Sequence, residues 1–137
     1  MLSIFAGECE IALVNHYYYG KLRNSEDPEH VKWAKAVKII IPNQGPGDRG
    51  AHINISGGGI AKHSKNFDKA TKFLEFLVSD QAQKLYASVN YEYPVTSGVE
   101  LPKTLTQWGN FREDSAPIES IAALSSKSQK IIDTVGW

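Results

Sequence analysis

The chain has 137 residues, enough for one domain or a large piece of one, and 42% of them are hydrophobic. Its 15 Lys and Arg balance 15 Asp and Glu, so it lacks the basic excess that a nucleic-acid phosphate backbone demands. The composition is that of a soluble globular protein without a disordered tract.

Residues 1–8 carry neither the basic start nor the long apolar stretch of a secretory signal. No segment is long and apolar enough to cross a bilayer as a helix. Residues 10–15 are nearly continuously apolar and read as a strand buried on both faces, with the lone Cys9 as a small buried strand residue. Cys9 has no partner for a disulfide or a CxxC metal site. Tyr17, Tyr18 and Tyr19 follow, and a short helix through Leu22 is expected. Asp27, Pro28 and Glu29 predict a helix start, because Asp caps free N–H groups, Pro fits the first turn and Glu favours the positive helix end. That helix should stop near Ala36.

Residues 37–41 predict a second strand ended by Pro42, and 43–50 a loop in which Asp48 and Arg49 are solvated. Alternation over 52–56 predicts a half-buried strand, followed by a turn or hinge at Gly57, Gly58 and Gly59. Two helices come next. Asn66 is expected to cap the first, with its stripe on Phe67, Ala70, Phe73, Leu74, Leu77 and Val78. Ser79 is expected to cap the second, which carries Ala82, Leu85, Tyr86 and Val89. Residues 90–95 are irregular, and shorter helices are expected after Pro102 and Pro117. A last helix bears Ile131, Ile132 and Val135 and stops at Gly136. This order predicts an α/β protein with few strands and several packed helices, too few strands for a complete covered sheet.

The tyrosines are the residues most suited to chemistry. A phenol is neutral near pH 7, but a bound cation stabilises the phenolate and drives the proton off. Ferric iron is a hard acid and phenolate a hard oxygen donor, so the two match. Neighbours on a regular strand would diverge, whereas at a strand-to-helix turn they can converge. Packing alone is the commoner fate of such rings. His16, His30, His52 and His63 lack metal-binding spacing, and the glycines at 57–59 match no phosphate-binding motif. No nucleophile–base pair or carboxylate dyad stands out, so an enzyme is not expected.

The run from Gly7 through Asn15 and His16 to Tyr17 and Tyr18 resembles the tyrosine-pair segment of periplasmic ferric-iron-binding proteins, the receptors of bacterial iron ABC importers. The resemblance continues at Pro42, Asn43 and Gln44, over 50–57 and 90–95, and at Val135, Gly136 and Trp137. It implies a partial type II periplasmic-binding-protein fold, from the C-terminal portion of a two-lobed protein. Residues 1–52 would end the second lobe and carry the tyrosine pair. Residues 53–62 would cross the hinge, and 63–137 would form the helical C-terminal part. Iron (Fe3+) would be held by Tyr17 and Tyr18, with Tyr19 packing. Asn15 matches a position that contacts a synergistic anion in some members. The implied partners are ferric iron and an inner-membrane ABC permease, and the implied location is the periplasm.

The family's other ligands come from an N-terminal lobe and the first part of the second lobe, which nothing here matches. Two phenolates leave iron with open positions, so weak binding by this chain alone is expected unless the missing lobe complements it. Two alternatives stand beside this reading. One is a binding protein of the same fold for another small solute, stacked on Tyr17 and Tyr18. The other is a non-functional fragment that self-associates through unpaired strand edges.

Overall fold

A computed structural model describes residues 1–136, and Trp137, the last residue of the terminal resemblance, lies outside them. The helices in chain order are α1 (Leu2–Phe5), α2 (His16–Arg23), α3 (Pro28–Lys35), α4 (Phe67–Leu77), α5 (Asp80–Leu85), α6 (Lys103–Thr106), α7 (Ile118–Ala123) and α8 (Ser125–Val135). A π-helical turn, Tyr86–Asn90, continues α5 directly.

Helix starts follow their caps. Asp27 accepts from the Glu29 amide at 2.8 Å, with Pro28 in the first turn of α3. Ser79 Oγ accepts from the Ala82 amide at the start of α5. Asn66 departs from expectation: its side chain makes no cap bond, and its own amide donates to Ser64 Oγ instead. Gly136 ends α8 with φ of 69°, the left-handed stop that glycine accepts without strain. α1 had no forecast in the sequence.

The expected strands do not form. Among the described residues the only β pairing outside helices is an isolated parallel bridge between Ala51 and Glu113. Residues 10–15, 37–41 and 52–56 remain non-helical stretches, so in this chain the α/β expectation is corrected to a helical one. The physical reason is the absence of neighbours, because a strand is stable only when another backbone completes its ladder. The sequence pattern of a buried strand is present, but the burial is not: Ile11, Leu13 and Ile40 are 86%, 87% and 81% exposed. Cys9 is exposed for the same reason, against the expectation of burial.

The chain divides into two compact units. Unit 1 comprises Met1–Ile40 and Ile55–Asn110. Its interior is built mostly from small residues, Ala34, Ala82 and Ala87, around the fully buried Leu105. Gln83, also buried, donates to the Leu77 carbonyl at 2.7 Å and accepts from the Val95 amide at 2.8 Å. It thereby satisfies the last turn of α4 and pins the segment after the π turn. Unit 2 comprises Ile41–Asn54 and Phe111–Trp137. Here the Gln44 side chain stands in for a missing strand, accepting from the Arg112 amide at 2.7 Å and donating to its carbonyl at 2.9 Å. Arg49 is not simply solvated: it pairs with Asp114 at 2.6 Å.

The exposed area is 10753 Å². Large apolar side chains such as Phe67, Phe73, Ile55 and Val135 are each more than half exposed.

Two outcomes follow for stability. Leu105→Ala should destabilise unit 1 by about 2–5 kcal/mol, since it empties a site with no solvent contact; urea denaturation measures it. In unit 2, the Ala116 amide and then Arg49 hold the Asp114 carboxyl below its ordinary pKa, against the opposing effect of burial. A depressed folded pKa means stability that is present above the unfolded value of about 3.9 and lost as pH falls through the lower folded value. Asp114→Asn should therefore flatten the acid limb of the unfolding curve, as read by circular dichroism against pH.

Candidate metal centre

α2 begins at the end of the apolar stretch, with Asn15 as its extended N-terminal residue (φ −68°, ψ 133°) and the tyrosines in its first turn. The change from extended to helical backbone is what lets neighbouring side chains share a direction. The Tyr17 and Tyr18 rings lie 4.5 Å apart between centroids, inclined at 47°. A side-chain hydrogen bond joins the two phenols. Asn15 Nδ2 donates to the Tyr17 hydroxyl at 3.1 Å, so the three residues singled out in the sequence form one polar cluster. Tyr18 is 50% exposed, so the pair is not sealed in a dry interior.

The electrostatics of the pair are those of two acids in contact. The hydrogen bond to Tyr17, then the charge that Tyr17 would carry when ionised, pushes the Tyr18 phenol above its ordinary pKa. Lys21 Nζ sits 5.6 Å from the centre of the Tyr17 ring, one turn further along α2. Tyr19 points elsewhere, its ring 6.0 Å from Trp108, in the packing role expected of it.

What the sequence did not reveal is how α2 is held. His16 Nε2 lies 2.8 Å from the Tyr91 carbonyl and must donate to it, which fixes the neutral tautomer as Nε2–H. Burial lowers the His16 pKa, opposed by the Tyr91 carbonyl and the Glu92 charge. Its ring is 5.4 Å from both Tyr93 and Trp108. Tyr91 closes the π turn in a left-handed conformation (φ 59°), a strained choice for a bulky residue. Gly20 is buried where the Tyr91 ring lies against it, and a Cβ there would meet Tyr91 Cγ at 2.6 Å. At the other end, Asn24 Nδ2 donates to the Gly20 carbonyl at 2.8 Å and to Thr104 Oγ1 of α6 at 3.3 Å. The one sequence signal for this was Gly20 itself, since glycine inside a helix costs about 1 kcal/mol relative to alanine without a reason such as close approach.

Among the described residues no cluster of three His, Cys, Asp or Glu side chains is placed to hold a metal. The donor oxygens gathered at the start of α2 are those of the Tyr17 and Tyr18 phenols, with the Asn15 amide nitrogen bonded to the first.

The family of bacterial extracellular solute-binding proteins matches residues 11–113. This chain belongs to that family. It is similar to iron uptake protein A1 of Synechocystis, 40% identical over 98% of this chain and 37% of that protein. It is also similar to the ferric binding protein of Campylobacter jejuni, whose structure superposes with a TM-score of 0.92 at 44% identity, covering 98% of this chain and 42% of that one. A Trichodesmium protein solved in complex with iron and citrate superposes with a TM-score of 0.90 at 41% identity, over 98% of this chain and 42% of that one. The chain thus spans about two-fifths of the length of the relatives it matches. These relatives are ferric-binding and iron-uptake proteins, so the ferric-binding resemblance seen in the sequence holds.

The phenol contact has a direct optical consequence. Tyr17→Phe removes the hydrogen bond that raises Tyr18, so the Tyr18 phenol should titrate at lower pH in the variant, toward its ordinary value of about 10. Phenolate absorbance against pH measures this.

Proposed function

We propose that this solute-binding chain is the tyrosine-pair portion of a ferric-iron receptor serving a bacterial iron ABC importer. The observation that carries the reading is the contact between the Tyr17 and Tyr18 phenols at the exposed start of α2, in a chain related to ferric-binding proteins. Both phenols would release their protons to solvent as their oxygens coordinate one Fe3+ ion. Each phenolate is a hard oxygen ligand matched to a hard trivalent cation. The second deprotonation works against the first negative charge, and the ion repays that repulsion by lying between the two oxygens.

Asn15, already bonded to the Tyr17 hydroxyl, orients that oxygen and lies where a synergistic anion would complete the coordination. The relative solved with iron and citrate supports an anion of carboxylate type. The remaining ligands belong to the rest of a two-lobed type II binding-protein fold, of which this chain supplies a C-terminal portion. In that arrangement residues 1–52 end the second lobe, 53–62 cross the hinge and 63–137 form the helical C-terminal part. The receptor works in the periplasm and delivers its ion to an inner-membrane permease.

Exposed apolar stretches support the same reading. Residues 10–15 and 37–41 have the pattern of buried strands, and the rest of the fold would cover them.

The test is a titration of the chain with ferric citrate at high protein concentration. A visible phenolate-to-iron charge-transfer band should appear and vanish in the Tyr17→Phe, Tyr18→Phe double variant. Wild-type protein without a band at any pH sinks the reading. Undiminished solute binding by the double variant would point instead to stacking of another small molecule on the rings.

A further inference from the structure

Tyr17 and Tyr18 lie between two residues of α2 that touch one and the same neighbour. His16 and Gly20 are four positions apart, hence on one face of the helix and one turn from each other. The His16 imidazole donates to the Tyr91 carbonyl at 2.8 Å. The Gly20 backbone lies under the Tyr91 ring, where an added Cβ would stand 2.6 Å from Cγ and 2.8 Å from Cβ and Cδ2. These are the atoms nearest the Tyr91 backbone, so the ring cannot swing its tip aside to make room. Nor is the Tyr91 backbone free to relax, because its left-handed conformation ends the π turn and its amide donates to the Tyr86 carbonyl. Strain of this kind persists only where surrounding structure imposes it. π turns inside helices are themselves concentrated at functional sites.

We propose that Tyr91 is a positioning residue for the tyrosine pair: its carbonyl and its ring grip α2 at His16 and Gly20 and so fix where the two phenols between them point. The proposal rests on the iron reading for its purpose, while the grip itself is a matter of geometry. Two oxygens that share one ion must be held to within about 0.5 Å of the productive arrangement. Asn15 orients the Tyr17 hydroxyl, but a short helix of eight residues with no side-chain cap bond at its start does not hold its own backbone to that precision. The neighbouring turn supplies it through one hydrogen bond and one steric stop. His16 never touches the ion in this scheme. It acts through the backbone of α2.

The experiment uses the chain with ferric citrate and four variants, each checked for folding by far-ultraviolet circular dichroism. Gly20→Ala forces α2 and Tyr91 apart, and His16→Phe keeps an aromatic ring while deleting the donor. Both should shift the phenolate-to-iron band and weaken apparent iron affinity about 10–100-fold, the usual effect of losing an outer-shell support. His16→Gln retains an N–H donor and should restore most of the affinity. Gly20→Ala combined with Tyr91→Gly removes the obstructing ring, keeps the carbonyl and favours the left-handed conformation, and should return the band toward its wild-type position.

An iron-free readout runs in parallel: nuclear Overhauser contacts between the Tyr17 and Tyr18 rings should weaken in Gly20→Ala and recover in the double variant. Folded Gly20→Ala protein with an unchanged band and unchanged ring contacts overturns the proposal. So does a double variant no better than Gly20→Ala alone. If Gly20→Ala fails to fold, the His16→Phe and His16→Gln pair decides, and equal behaviour of those two overturns it. A wild-type chain with no band, but with ring contacts that respond as described, sinks the iron reading and leaves the grip standing.

Discussion

A single hydrogen bond, from the His16 imidazole to the Tyr91 carbonyl, joins the two parts of unit 1 that matter most for its chemistry. One part is the break between residues 10–15 and α2. The other is the π turn that closes α5. The bond is formed by a neutral imidazole in a half-buried setting among Tyr93, Trp108 and Tyr17, where a lost partner would leave a polar group without water. Because α2 is short, its position is decided by such contacts rather than by helix propensity. The phenols take their place from it.

Around that anchor the chain is under-covered. A fully buried leucine and a few alanines supply the interior, while isoleucine and phenylalanine side chains with the patterning of core residues face solvent. Apolar burial is worth roughly 25 cal/mol per Å². The exposure of these side chains therefore leaves a driving force unrealised. It falls both on stretches with strand patterning, such as Ile11, Leu13 and Ile40, and on α4 and α8. Such surface stabilises a fold only when other chain segments close over it, and the relatives are more than twice this length.

How much was legible in the sequence follows from the range of each interaction. Helices could be read because their determinants are local. Asp27 and Pro28 start α3, Ser79 starts α5 and Gly136 stops α8, each acting within a few residues. The strands were read from a pattern that reports what a segment would do beside a neighbour, and no neighbour is at hand among the described residues. The tyrosine pair was singled out from its context, and the structure brings Asn15, Tyr17 and Tyr18 together. Tyr91 was read only as part of the irregular stretch 90–95. Its contacts with His16 and Gly20 span more than 70 positions and depend on a π turn that no periodicity announces.

If the pair captures iron as proposed, it sets a thermodynamic condition on that capture. Tyr17 pushes the Tyr18 phenol above its ordinary pKa, so on the proposed reading an ion arriving at α2 meets a protonated Tyr18 rather than its charge. Expelling two protons couples affinity to pH with a slope set by the number released. The same coupling discriminates among ions. A divalent cation stabilises two adjacent phenolates less than a trivalent one, because the attraction scales with charge while the repulsion between the phenolates stays the same. On the proposed reading, selectivity for ferric iron would come from the cost of ionising Tyr17 and Tyr18 side by side, which only a hard, highly charged ion offsets.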